Sequence, residues 1–146
     1  MVAYWDSYPN FDHNARAPLR TEFERLATQR GWRAGSRRYR NEWAQCCVTE
    51  FGRHYGHHDR LDGWQALCVE VGIRDVPTSI TACKKILNRT WVNLVDLIDC
   101  RRTGQRVQRH RSRDALRQYS VDNDKIFPKK EAKRNGFLKV LLIQMF

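Results

Sequence analysis

The chain has no long apolar run. No segment approaches the roughly twenty consecutive apolar residues that cross a bilayer, and the opening MVAYWDSYPNF has neither the basic nor the apolar stretch of a secretory leader, so neither a membrane span nor secretion is expected. There is no Gly-rich phosphate loop, no nucleophile elbow and no paired-histidine metalloprotease motif. The five cysteines, Cys46, Cys47, Cys68, Cys83 and Cys100, include no Cys-x-x-Cys pair. An odd, unpatterned set does not make a disulfide framework, and several fall on apolar helix faces where cysteine acts as a small hydrophobe, which suits a reducing compartment. Acid is also scarce: 16 Asp and Glu stand against 27 Lys and Arg, a net charge of +11.

What is present is enough for one folded domain. With 146 residues, 41% apolar and 11% aromatic, the chain can bury a core, and wholesale disorder is excluded. The positive excess is uneven. Residues 101–146 hold 13 Lys and Arg against 4 Asp and Glu, whereas residues 1–100 hold 14 against 12. The C-terminal third is thus the electrostatic handle, suited to a polyanion such as nucleic acid or to an anionic membrane surface.

The spacing of apolar residues predicts an all-α fold, a compact helical domain of roughly five to seven helices. Residues 1–17 carry Tyr4, Trp5, Tyr8 and Phe11 among residues that resist helix, and read as an extended arm pinned by its aromatics; stacking of those rings on bases is the functional alternative. Pro18 opens an N-terminal helix over 18–31 that places Leu19, Phe23, Leu26 and Ala27 inward and closes at Gly31. Ser36 caps the next, with Tyr39, Trp43, Cys46 or Cys47 and Phe51 inward, behind the cationic entry Arg33, Arg37, Arg38 and Arg40. Asp62 starts a helix whose Trp64, Leu67, Cys68 and Val71 share one face, with Gly72 at its end. After a proline-containing linker over 73–78, Thr78 or Ser79 caps a long helix with Ile80, Cys83, Leu87, Trp91, Leu94 and Ile98 in register. Opposite that stripe stand Thr81, Lys84, Lys85, Asn88 and Arg89.

Trp64-x-x-Leu67-Cys68 followed by the Ser79-Ile80-x-x-Cys83-Lys84-Lys85 helix resembles the second and third helices of a Myb/SANT-like, or trihelix-like, domain. The resemblance covers residues 36–99, with Trp43 as the tryptophan of the first helix. It implies a helix-turn-helix module whose third helix contacts DNA. The linker over 73–78 is longer than the family's tight turn, and Trp91 lies about one helical turn beyond the expected third tryptophan. A generic three-helix module without DNA contact has the same apolar spacing.

The function expected is nucleic-acid binding, of duplex DNA rather than RNA, in the nucleus, through two groups of residues. Lys84, Lys85, Asn88 and Arg89 face bases or phosphates, because asparagine and arginine pair with base edges and cations neutralise phosphate. Arg101, Arg102, Arg106, Arg109, Arg111 and Arg113, in the basic loop RRTGQRVQRHRSR, grip the backbone. Over 100–146 this basic extension continues through a short helix capped by Ser112, a second basic patch over 125–134, and the apolar ending FLKVLLIQMF, read as a core-closing helix, a dimer or partner contact, or a membrane-surface anchor. The alternative function is a SANT-like interaction module that binds an acidic protein or itself.

No catalytic residue, metal or cofactor is expected. Cys46 or Cys47 with His54, His58 and Cys68 offers zinc-type ligands, but at no zinc-finger spacing, and His54, His57 and His58 also suit the polar end of a helix. Those histidines with Glu50, Asp59 and Asp62 supply acids and bases for phosphodiester cleavage without any spacing that singles out a pair.

Overall fold

The computed structural model describes residues 3–55 and 59–128, and within them the chain is mostly helical. The six helices are α1 (Leu19–Arg30), α2 (Arg37–Tyr55), α3 (Leu61–Glu70), α4 (Ile80–Leu87), α5 (Leu94–Thr103) and α6 (Arg113–Asp122). A minimal ribbon of β1 (Trp91–Val92) and β2 (Arg109–His110) joins them. None of the described helices is long and apolar enough to cross a membrane. The apolar ending and residues 129–134 of the second basic patch lie outside the described residues.

Several helix ends fall where the local chemistry asks, but α3 starts at Leu61 with Arg60 at its N-cap and no side-chain cap, so Asp62, expected to cap it, lies in its first turn. Ser36, Ser79 and Ser112 accept hydrogen bonds from the N–H groups of Tyr39, Ala82 and Ala115, at 3.2, 3.1 and 3.1 Å. At the other ends Gly31 and Gly104 take left-handed φ of 75° and 81°, which residues with a Cβ adopt at a cost. The α2 and α5 helices pack against each other, with α1 against both, burying Leu19, Phe23, Leu26, Phe51, Leu97 and Ile98 completely. α4 lies on α3, where Cys83 and Leu87 meet a layer that includes Trp64, Leu67 and Cys68.

Two expectations are corrected here. The long helix predicted to run from residue 79 to Asp99 is two helices. α4 stops at Leu87; the Thr90 hydroxyl donates to the Ile86 carbonyl at 2.8 Å; Trp91 and Val92 extend as β1; and Asn93 starts α5 by accepting the Asp96 N–H at 3.0 Å. The residues Thr90, Trp91 and Val92 favour extended backbone, and Asn93 favours an N-cap, so the local preferences outweigh an apolar spacing that a helix would also satisfy. The basic loop is likewise more ordered than predicted: Arg101 and Arg102 belong to α5, and Arg109 and His110 form β2.

The N-terminal arm is not extended throughout. Tyr4–Ser7 makes a 3-10 turn, and Tyr4, Trp5 and Phe11 are buried against the domain, as the aromatics led one to expect. Trp5 Nε1 donates to Glu50 Oε1 at 3.0 Å, and the hydroxyls of Tyr4 and Tyr8 both donate to Glu42 Oε1 at 2.7 Å. The arm is therefore fixed to α2 by rings and polar tips together.

Candidate nucleic-acid interface

α4 presents Thr81, Lys84 and Lys85 to solvent, on the side away from Cys83 and Leu87. Lys84 lays its ammonium 5.4 Å from the centroid of the Trp64 ring, a cation–π contact that limits its reach. Asn88 and Arg89 are exposed, but in the turn that follows the helix rather than on it.

The ribbon links this group to the arginine run. β1 and β2 are antiparallel, with Trp91 opposite His110 and Val92 opposite Arg109. Residues just before Trp91 therefore run beside residues just after His110, and this register brings the segment that carries Arg89 near Arg111 although about twenty residues separate them in sequence. Arg109, Arg111 and Arg113 are exposed, the last in the first turn of α6. Arg106 is exposed in the approach to β2. Among the described residues, Lys84, Lys85, Arg89, Arg106, Arg109 and Arg111 make no ion pair with a carboxylate.

Two of the ten predicted contact residues are committed elsewhere. Arg102 is not available to grip a backbone: its side chain is 1% exposed. It donates to the carbonyls of Ala17 and Asn14 at 2.7 and 2.9 Å and to His13 Nε2 at 2.9 Å, and it lies 3.5 Å from Glu50. Burial opposes the Glu50 charge, but hydrogen bonds from Arg53, that residue's charge and the Trp5 and Tyr4 N–H groups hold its carboxyl below the usual range. Arg102 therefore ties the arm, α2 and α5 together. Arg101 pairs with Glu70 at 2.9 Å and lies 5.2 Å over the Tyr55 ring, bridging α5 to α3.

The remaining candidates scatter. Cys46, Cys47 and Cys68 are buried, and burial pushes their thiols up; His57 and His58 lie outside the described residues. Among the described residues no group of three His, Cys, Asp or Glu side chains converges to hold a metal. Glu50 is sealed in its ion pairs, while Asp59 and Asp62 are exposed, Asp62 lying 3.3 Å from Arg60. Lys125, from the second basic patch, binds Asp96 at 2.7 Å.

Sequence reasoning passed over Asp96, Asp99 and His110. Asp96 and Asp99 stand at i and i+3 on α5, a spacing that puts two carboxylates on one face. His110 sits with its ring 4.5 Å from Tyr119 and its Nε2 buried without a hydrogen bond; burial lowers its pKa. Comparison with known proteins returned no significant match, whether to a protein-family model, a curated protein or a solved structure.

Proposed function

We propose that the protein binds nucleic acid, duplex DNA in the nucleus, through a continuous basic face made by α4, the turn after it, and the ribbon. In this reading α2, α3 and α4 form a Myb-like helix-turn-helix module, with Trp43 and Trp64 in its core and α4 as the helix that meets the groove. The observation that supports the reading is the ribbon register, which sets the segment that carries Arg89 beside the one that carries Arg111, together with the exposure of Lys84, Lys85, Arg89, Arg109 and Arg111. Cations without carboxylate partners keep their full charge for phosphate, and each one engaged releases counterions from the duplex. Eight residues of α4 span about 12 Å, close to the width of the major groove.

The test is binding of the purified protein to a random-sequence duplex across a salt series, with tRNA and an acidic polypeptide as competitors. Steeply salt-dependent binding, weakly displaced by the polypeptide, supports the reading. Displacement by the polypeptide at equal charge would move the function to an acidic protein partner, and no binding near physiological salt would reject the DNA reading.

A further inference from the structure

Apart from sharing Arg106, the proposed DNA face leaves unused a cleft of about 470 Å³ between α1, α5 and the end of α6. Its floor is built rather than incidental. Asn93 is fully buried; besides capping α5 it donates through Nδ2 to Ser120 Oγ and to the Lys125 carbonyl, both at 2.9 Å. Lys125 is thereby held where its ammonium donates to Asp96 Oδ1 at 2.7 Å and to the Tyr119 hydroxyl at 3.0 Å, while Tyr119 donates to Asp96 Oδ2 at 2.6 Å. The three groups close a ring. Both Asp96 oxygens are engaged and its charge is balanced; although burial alone would lower it, the hydrogen bonds to Asp96 and Tyr119 push the Lys125 ammonium up to about 12.

Asp99, one turn further along the same face, is different. Its Oδ1 accepts the Leu19 N–H at 2.7 Å, and its Oδ2 accepts none of the described hydrogen bonds. Burial is the main force pushing its carboxyl up, with the Asp96 charge adding to it against the Leu19 bond and the Lys125 and Arg102 charges, and a further cation would relieve it. Across the cleft Arg20 stacks on Trp43 at 4.1 Å, donates to the Asp124 carbonyl at 2.9 Å and lies 3.6 Å from the Asp124 carboxylate. Its Nε is buried without a partner. Arg106 lines the same cleft with no carboxylate among the described residues.

Two opposite charges thus line this space, Asp99 and Arg106, and neither makes an ion pair among the described residues. We propose that the cleft binds a small amino carboxylate, its ammonium on Asp99 and its carboxylate on Arg106. One positive and one negative group match these two side chains, whereas a phosphate dianion would leave excess negative charge beside Asp96 and Asp99. A planar carboxylate also matches the guanidinium fork. The cleft is within the size range of small-molecule sites.

The experiment is titration of the full chain with ω-amino acids from glycine to 6-aminohexanoate, with butylamine and butyrate as half-ligands, followed by amide chemical shifts and calorimetry. One chain length should bind at least tenfold more tightly than either half-ligand, with shifts concentrated at Leu19, Asp99 and Arg106. Asp99→Asn keeps an oxygen for the Leu19 N–H but not the charge, and should reduce affinity to that of butyrate. Arg106→Gln, at an exposed position, should reduce it to that of butylamine. Binding that ignores both substitutions, or no binding by any member at 10 mM (roughly −2.7 kcal/mol), would overturn the proposal.

Discussion

Arg102 Nη2 donates to Nε2 of His13 at 2.9 Å, and since a guanidinium has only donors, this imidazole is neutral, with its proton on Nδ1. Burial first, and then the Arg102 charge, lower the His13 pKa. His54 and His110 are lowered as well, again chiefly by burial. The unfolded chain therefore takes up protons at higher pH than the folded one. Stability is full above the unfolded histidine value of about 6.5 and declines as pH falls below it. Urea midpoints should drop between pH 7.5 and 5.5, and His13→Gln, which can still accept from Arg102, should drop less. An equal decline in that variant would remove His13 as a contributor.

Below this range a second loss sets in. The Glu50 carboxyl is held under its ordinary value, so its contribution is present above about pH 4.5 and disappears as pH falls through the lower folded pKa. Replacing Arg102 by Leu at neutral pH should cost about 3 kcal/mol, the lower end for breaking a buried pair, because Arg53 remains 3.1 Å from Glu50. Chemical denaturation measures this. Substitution of its sequence neighbour Arg101 by Gln should cost under about 1 kcal/mol, since its pair with Glu70 is partly exposed.

Arg109→Gln should leave stability within about 0.5 kcal/mol and lower the salt dependence of DNA binding by about one phosphate equivalent. Reversal of charge at Lys84 and Lys85 together should weaken binding further and flatten the dependence by about two. Affinity unchanged by the double reversal would reject α4 as the helix that meets DNA.

Asn93→Ala removes a cap and two buried donors at once, and should cost about 2–4 kcal/mol. Asn93→Asp keeps the cap acceptor but loses both donors, and should fall between the two in thermal melting.

The Cys100 thiol, which donates to Glu70 at 3.0 Å, is pushed up to about 11 by burial and then by that carboxylate. Alkylation of Cys100 by iodoacetamide at pH 8 should be slow, and Glu70→Gln should quicken it severalfold by lowering the thiol pKa. Peptide mapping after timed labelling reads the rate.

Much of the helical frame was legible because caps and periodicity agree: Gly31, Ser36, Gly72, Ser79 and Ser112 mark ends that the structure shows near those positions. The break between α4 and α5 was not, because Leu87, Trp91, Leu94 and Ile98 satisfy a helical spacing while occupying two helices and a strand. Of the predicted contact residues, the arginine run looked uniform, yet Arg101 and Arg102 differ in role. Arg102 shares the inward face of α5 with Val95 and Ile98, at i+7 and i+4 from them, a phase that separates it from its neighbour. What no local pattern carried was the set of partners that make the burial tolerable, since His13, Asn14 and Ala17 lie more than eighty residues away. The cleft was hidden for the same reason, its walls coming from α1, α5 and α6.

The two-residue strands of the ribbon behave as a clasp. Opening them breaks a short ladder and uncovers Val92 while α1, α2 and α5 stay packed, so such an excursion costs less than unfolding. Once the clasp opens, Arg89 and Arg111 sit on separate arms of the chain and their fields no longer add. The proposed basic face is then a property of the closed population, and a bound polyanion spanning both arms would shut the clasp by mass action, so amide exchange at Trp91, Val92, Arg109 and His110 would slow in step with occupancy.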